Sequence, residues 1–563
     1  MRDNSTLLHR LSLWAQDQPG QAALYFKTDQ GAWGSITAGE YWLNVIRIAE
    51  GLKRQGILPG DRVLIYALTS TEWIMWELGI LLAGGVVVGL HAHLPDRDIF
   101  SILTQVKPKI ALVYKEVFRD RMNGIPALQS EKIPIYTFKE AETLFLSKIT
   151  TESTSLLKIG DEKLQKLSPK ETQILVFTSG TTGTPKGVKL GLSQLTFVAD
   201  LISREWNLPF SNGNLFSFLP LAHIAEKIQS IGVAITERYP VWFNSKQEYF
   251  FSELKEVRPT VLLAVPRVWE RIKEQIEGQK PKLLQRLMEI ERLGTVAERF
   301  FYNQAKVYMG LDSLKLAVSG GVKLAPSIGE WFKIFGVEIQ EIYGMSETCG
   351  LVTMTCPTRK NFKSVGIAPA GVEVKINPDG EILVKGKNIF NGYWNDESLT
   401  EAVLLPDGWL KTGDLGEWDP DLKIIGRNRD IIKLSNGRMI APLPIENILK
   451  AIPEISNVCL VGEGKHGLLA LITLKEAVLM EYKFVPGAIE GLSVEVEALK
   501  EKIRLAIDVL LEQNKILEKI LNFTILSREF SVDHHELTVT QKLNRTRIHQ
   551  NFKHFIDFKF EEY

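Results

Sequence analysis

The chain predicts an α/β protein: a large N-terminal domain of helix-covered sheets with a small barrel-like subdomain, then a smaller α+β C-terminal domain. Three observations carry this. At 563 residues the chain is too long for one ordinary core. Helix and strand signals alternate as far as about Val372, the pattern of sheets covered by helices. After Gly371 the runs shorten into alternating strands, VEVKI, EILVKG and KIIGR, with turn residues between them.

The elements follow in order. MRDNSTLLHRLSLWAQDQPG reads as an amphipathic helix ending near Pro19-Gly20; it has no continuous apolar stretch or small-residue cleavage site, so it is not read as a signal peptide. Leu43–Gly56 has helical periodicity, and RVLIYA (62–67) reads as a buried strand after the turn Pro59-Gly60. Trp76–Leu90 is the most apolar run, but it contains Glu77 and falls short of the roughly 20 residues a bilayer span needs. Buried helix plus strand fits it better. Strands are expected at 110–114, 173–177, 214–218, 260–265, 314–319 and 337–343. Polar 150–171 suits a linker between subdomains. Beyond Arg427 come strand, helix, strand and strand signals at 431–434, 445–451, 458–461 and 468–474, then a long amphipathic helix over 499–521.

Composition excludes several classes. Lys+Arg and Asp+Glu are both 67, so no global field points to nucleic acid or an anionic membrane. A polyanionic ligand must be met by local groups. Cys349, Cys356 and Cys459 form no CxxC pair, which argues against a disulfide framework or a zinc site. His534-His535 lacks metal-site spacing and reads as a solvated pair. Gly462-Glu-Gly464-Lys-His-Gly467 matches G-x-G-x-x-G after a strand, but strand-like LLALITL follows where a dinucleotide site needs a helix. A hairpin turn is the reading. A cytoplasmic location is expected, with peripheral membrane contact through a lipid substrate.

The run FTSGTTGTPKGVK (177–189) packs five Ser/Thr hydroxyls, three glycines and two lysines behind an apolar strand. Glycines let backbone approach a ligand, hydroxyls and N–H groups donate to phosphate oxygens, and lysine supplies charge. It is not G-x-x-x-x-G-K-[ST]: Pro185 or Val188 stands where the second glycine would be needed.

This run resembles the phosphate loop of the adenylate-forming enzymes, the superfamily of acyl-CoA synthetases, luciferases and peptide-synthetase adenylation domains. Five further segments follow in that family's order: FLPLAHIAEK (218–227), SGG (319–321), EIYGMSE (341–347), DGWLKTGDLGEWDPDLKIIGRNRD (407–430) and LTVTQKLNR (537–545). RPTVLLAVPRVWERI (258–272) and NGRMIAPLPIE (436–446) resemble the long-chain fatty acyl-CoA synthetase branch.

The resemblance implies a reaction in which a carboxylate attacks the α-phosphate of ATP, releasing pyrophosphate, and a thiol then attacks the acyl-adenylate. Thr178, Ser179, Gly180, Thr181, Thr182 and Lys186 would hold the β- and γ-phosphates. Glu347 would bind Mg²⁺ with Thr178. Gly320 and Gly321 would wall the adenine, Tyr343 would stack on it, and Gly344 and Ser346 complete that motif. Asp414 would accept from the ribose hydroxyls, with Arg427 beside it. His223 would line the acyl end, and Lys542 would bridge substrate carboxylate and α-phosphate. The implied division is an AMP- and acyl-binding domain over 1–426, a hinge at 427–430 centred on Arg429, and a mobile C-terminal domain over 431–563. ATP, Mg²⁺, CoA and a fatty acid are the implied ligands.

An acyl tunnel needs apolar lining, for which Trp206, Phe210, Trp242, Phe243 and the 215–235 region are candidates and equally core residues. Departures from the family pattern are Gly191-Leu192 for a Thr/Ser-His pair, Val322-Lys323 for Ala-Pro, and Val539, Gln541 and Asn544 in the lysine motif. Three readings stand: an ATP-dependent acyl-CoA ligase, an enzyme loading the phosphopantetheine of an acyl carrier protein, and a non-catalytic fatty-acid or nucleotide binder that kept the fold.

Overall fold

The computed structural model describes residues 5–125, 133–147, 149, 152–168, 171, 173–178, 184–279, 291–356, 364–482, 494–516, 518, 520–538 and 542–561. Contacts divide the chain into two units: Met1–Val374 with Val384–Leu410, and Lys375–Leu383 with Lys411–Tyr563. The antiparallel region expected after Gly371 is therefore shared between them.

Two large sheets of the first unit are built from β1 (Ala22–Lys27), β2 (Trp33–Thr37), β3 (Arg62–Tyr66), β4 (Val86–Leu90), β5 (Ile110–Val113), β6 (Ile135–Thr137), β7 (Ile174–Thr178), β8 (Lys186–Leu190), β9 (Leu215–Ser217), β10 (Val241–Phe243), β11 (Val261–Ala264), β12 (Leu316–Gly320), β13 (Ile339–Tyr343) and β14 (Thr353–Met354). One sheet runs β6-β5-β3-β4-β7-β8 and the other β14-β13-β12-β11-β9-β10-β1-β2. The inner pairs are parallel; β7–β8, β13–β14 and β1–β2 are antiparallel edges. Parallel strands covered on both faces need continuous apolar runs, and Val63–Tyr66 and Val86–Leu90 are buried throughout. Thr69 joins the two sheets just past β3: its hydroxyl donates to Leu219 O (2.7 Å) and accepts from Leu221 N–H (3.0 Å).

The expected linker over 150–171 is corrected by a 14-residue helix, Ser153–Lys166. Leu156, Gly160 and Leu164 recur every four residues and are buried, and the helix packs on Ala38–Arg54. Lys163 pairs with Glu50 of that helix at 3.0 Å. Trp76–Leu90 resolves into the helix Thr71–Leu82 and β4, both buried.

In the second unit Leu410–Trp418 pairs antiparallel with Leu422–Arg427. The segment Lys375–Leu383 lies along it: Thr412 Oγ1 donates to Ile382 O (2.8 Å) and Gly413 N–H to Glu381 (2.9 Å). Ile455–Val461 and Leu468–Leu474 pair antiparallel, so the glycine run between them closes a hairpin, as the sequence predicts. Ile520–Leu526 adds parallel to the second of these strands. Leu449, Val458, Ile472, Ile503 and Phe523 form the core there, under the helices Pro442–Leu449 and Val494–Gln513. The long helix therefore ends at Gln513, and the residues expected to extend it to 521 enter a strand at Ile520. Among the described residues no helix is long and apolar enough to cross a membrane.

Candidate active site

Most of the expected site residues of the first unit sit at the C-terminal ends of parallel strands, where open α/β sheets bind ligands. Thr178 ends β7 and Lys186 begins β8, and the two face each other as a register pair. β7 and β8 are thus antiparallel neighbours; Ser179, Gly180, Thr181 and Thr182 lie outside the described residues. Gly320 ends β12 and is registered with Ile342 of β13, so the SGG run lies beside Tyr343. Gly321 has φ +88°, a conformation L side chains avoid. A Cβ at Gly344 would lie 2.3 Å from the carbonyl of Gly350, so only glycine lets the chain turn there. Ser346 and Glu347 follow, buried in the short turn Ser346–Thr348.

Tyr393 is the residue the sequence reading missed. Its hydroxyl donates to Glu347 Oε1 at 2.7 Å, and its backbone bridges Val188 of β8. Trp394 N–H donates to Gly187 O (2.7 Å) and Asn391 N–H to Lys189 O (2.9 Å), which fastens the segment to β8. Lys186 Nζ lies 5.7 Å from the Tyr393 ring centroid, within cation–π range. One tyrosine therefore joins the expected phosphate lysine to the expected metal carboxylate. Burial and the facing Glu347 push its hydroxyl well above the usual phenol range, which keeps it a donor. Among the described residues Glu347 Oε2 carries no hydrogen bond. That free carboxylate oxygen is a hard donor of the kind that suits Mg²⁺, which keeps waters and phosphates as its other ligands.

His223 caps the short helix Ile224–Lys227, and two buried groups fix that turn. Lys227 donates to Glu77 of the helix Thr71–Leu82, and Trp73 Nε1 donates to the same carboxylate at 2.8 Å. Glu226 accepts from Ser217 and Ser230 at 2.5 Å each, and burial pushes it up to about 7. His91, just past β4, is the neighbour sequence reading overlooked. Burial, with His93 and His223 adding to it, lowers His91 to about 3, so it stays a neutral imidazole. Of the expected tunnel residues, Trp242 stacks on Tyr25 with centroids 3.7 Å apart, and Trp206 Nε1 donates to Thr355 O (3.0 Å). Phe243 is buried, and Lys315 lies over the Phe210 ring.

In the second unit Asp414 and Arg427 are a cross-strand pair, with Nε 3.1 Å from the carboxylate. Asp414 is buried while Arg427 is about a third exposed. Arg429 lies in the turn Asn428–Asp430. Lys542 sits on a loop closed by the Leu537–Leu543 bridge, its N–H donating to Thr538 Oγ1 at 3.0 Å. The two residues after Leu543 explain themselves locally. Asn544 caps the helix Arg545–Asn551 by accepting from Arg547 N–H, which accounts for a departure from the family motif. Arg545 pairs doubly with Glu446 and approaches Asp430 at 3.6 Å. Asp430 beside the expected hinge and the Lys542 loop are thereby tied within one unit. The Ser531–His534 side-chain contact at 2.7 Å closes a local turn.

A family model described as AMP-binding enzyme matches residues 11–394, and one described as AMP-binding enzyme C-terminal domain matches 429–562. The chain is 29% identical over 569 residues to the long-chain-fatty-acid–CoA ligase FadD15 of Mycobacterium tuberculosis, covering 94% of this chain and 93% of the relative. It is 28% identical over 594 residues to human long-chain-fatty-acid–CoA ligase ACSBG2, covering 94% and 88%. Among solved structures, o-succinylbenzoate CoA synthetase from Bacillus subtilis with its acyl-adenylate gives a TM-score of 0.73 at 21% identity over 96% of this chain and 97% of that one. The adenylation domain of a Mycobacterium chelonae carboxylate reductase gives 0.77 at 20% identity over 99% and 92%. The chain belongs to the AMP-binding enzyme family, the adenylate-forming superfamily, and is similar in sequence to long-chain-fatty-acid–CoA ligases.

Proposed function

We propose that this chain activates a long-chain fatty acid with ATP and transfers the acyl group to CoA. The observation that carries the reading is the junction at Tyr393, which gathers Lys186 of the phosphate hairpin and the buried Glu347. The fatty-acid–CoA ligase names of its relatives support the substrate class.

In the first step a carboxylate oxygen of the acid attacks the α-phosphorus of ATP, and the bond to the β-phosphate breaks with pyrophosphate leaving. Both reactants are anionic, so positioning and charge compensation supply most of the rate. Lys186 and the hydroxyls of Thr178, Ser179, Thr181 and Thr182 hold the leaving phosphates. Mg²⁺, when bound at Glu347 and Thr178, neutralises phosphate charge. Gly320, Gly321, Tyr343, Gly344 and Ser346 enclose the adenine, and Asp414 with Arg427 fixes the ribose. His223 orients the acid, while Lys542 bridges carboxylate and α-phosphate without changing protonation. In the second step a thiolate attacks the acyl carbonyl and AMP leaves; Lys542 must withdraw first, by a turn of the C-terminal domain (431–563) about Arg429.

Pyrophosphate release with a panel of carboxylic acids, with and without CoA, tests this. Release that depends on a long-chain acid, with AMP and acyl-CoA formed in equal amounts, is the expected result. Adenylate accumulating in the presence of CoA points instead to a carrier-protein thiol as acceptor. No release with any acid points to a non-catalytic binder.

A further inference from the structure

The family resemblance leaves Lys323 unexplained: it stands where the pattern has proline, two residues past the SGG run. The structure gives it a partner. Its ammonium, 13% exposed, lies 3.7 Å from the buried carboxylate of Glu341 and donates to Ser364 O at 3.0 Å. The same carboxylate accepts from Leu324 N–H at 3.2 Å, so two consecutive residues of the loop after β12 are fastened to β13. Ser319 and Glu341 are register partners, one residue before Gly320 and Ile342. Glu341 itself is locked by Thr355, whose Oγ1 accepts from its N–H (2.8 Å) and whose N–H donates to its carbonyl (2.9 Å). Alternation along a strand puts the side chains of Glu341 and Tyr343 on one face, one pleat apart.

From this arrangement we infer that the Lys323–Glu341 ion pair is a positioning clamp for the nucleotide. It fixes the Gly320–Gly321 wall against Tyr343 and so sets the affinity for ATP, doing by charge what a proline does by backbone restriction. The clamp rests on the functional reading above, because it matters only if adenine lies between that wall and Tyr343. Neither residue touches a reacting atom, so both are positioning residues. Their effect falls on ATP and not on the fatty acid.

The pair also makes the wall sensitive to pH. Burial pushes the Glu341 carboxyl up to about 7, against the opposing pull of Lys323 and the Leu324 N–H. Among the described residues Lys323 is the charged group that acts on the Glu341 carboxyl, which also accepts from the Leu324 N–H. Above about pH 7 the carboxylate is ionised and the pair is whole; as pH falls through 7 the carboxyl takes a proton and the pair is lost.

The test is calorimetric binding of MgATP, beside the KM for fatty acid, in wild type, Lys323→Arg, Lys323→Met and the double variant Lys323→Met/Glu341→Gln. Circular dichroism melts establish that each is folded at the assay temperature. At pH 8, Lys323→Met is expected to bind MgATP about tenfold more weakly, because removing one partner strands a buried carboxyl. Lys323→Arg keeps the charge and stays within about threefold of wild type, and the double variant recovers most of the loss because both partners are removed together. The KM for fatty acid stays within about twofold, since no acid contact changes. At pH 6 the gap between Lys323→Met and wild type narrows, as the wild-type pair is itself protonated.

Unchanged MgATP binding in folded Lys323→Met, or equal losses for ATP and fatty acid, overturns the clamp. A wild-type protein that does not bind MgATP overturns the functional reading, and the clamp with it.

Discussion

Lys542→Ala is expected to slow acyl-adenylate formation by about two to three orders of magnitude, the range seen when one preorganised charge-stabilising donor is lost. A carboxylate must approach a phosphate that already carries negative charge, and in the proposed role the ammonium offsets that repulsion where the new bond forms. The Leu537–Leu543 bridge, the Lys542 N–H bond to Thr538 and the Arg545–Glu446 pair use no atom beyond the Lys542 backbone. Thioester formation from supplied acyl-adenylate should therefore stay near wild type. Stopped-flow pyrophosphate release measures the first step, and acyl-CoA formed from synthetic adenylate measures the second. Equal first-step rates in variant and wild type contradict the role given to Lys542.

Arg429→Pro is expected to do the reverse, sparing adenylation and slowing thioester formation by about a hundredfold, the scale on which misplacement costs rate. Arg429 occupies the middle of the turn Asn428–Asp430, and proline there fixes its own φ and restricts Asn428. A hinge works by changing such angles. Asp430 makes the prediction sharper, because Arg545 approaches it at 3.6 Å and carries the Lys542 loop just before it in sequence. Turning about Arg429 would thus move Lys542 as part of one body. Loss of both half-reactions would mean that the variant misfolds, and a melting curve measured alongside distinguishes that outcome.

Much of this was legible in the sequence because the informative residues are local. The phosphate run, EIYGMSE and LTVTQKLNR each carry their residue types within a few positions, and their order along the chain supplies the rest. Strand positions were legible wherever apolar runs are short and buried on both faces, as at β3 and β4. The helix Ser153–Lys166 was misread because polar residues dominate its composition, although its buried stripe recurs every four residues. The end of the long C-terminal helix was misplaced because Ile516, Ile520 and Leu521 continue an apolar pattern. Parallel pairing with Leu468–Leu474 decides that Ile520 and Leu521 form strand.

Side-chain partnerships across long separations were not legible at all. Tyr393 meets Glu347 46 residues away, and Lys227 meets Glu77 150 residues away. Nothing local to either member announces the other. His91 looks like an ordinary loop histidine until β4 is seen beside β7, the strand that leads into the phosphate hairpin. Lys323 was legible as a departure, and its meaning came only with Glu341 across the β12–β13 register.

In the proposed reaction the fatty acid's own oxygen attacks the α-phosphorus of ATP. Full turnover with a long-chain acid labelled with ¹⁸O in both carboxyl oxygens, ATP and CoA, followed by mass spectrometry of the nucleotide products, tests it most directly. The expected products are AMP carrying one ¹⁸O and unlabelled pyrophosphate. Unlabelled AMP, or ADP with the label in inorganic phosphate, would contradict it.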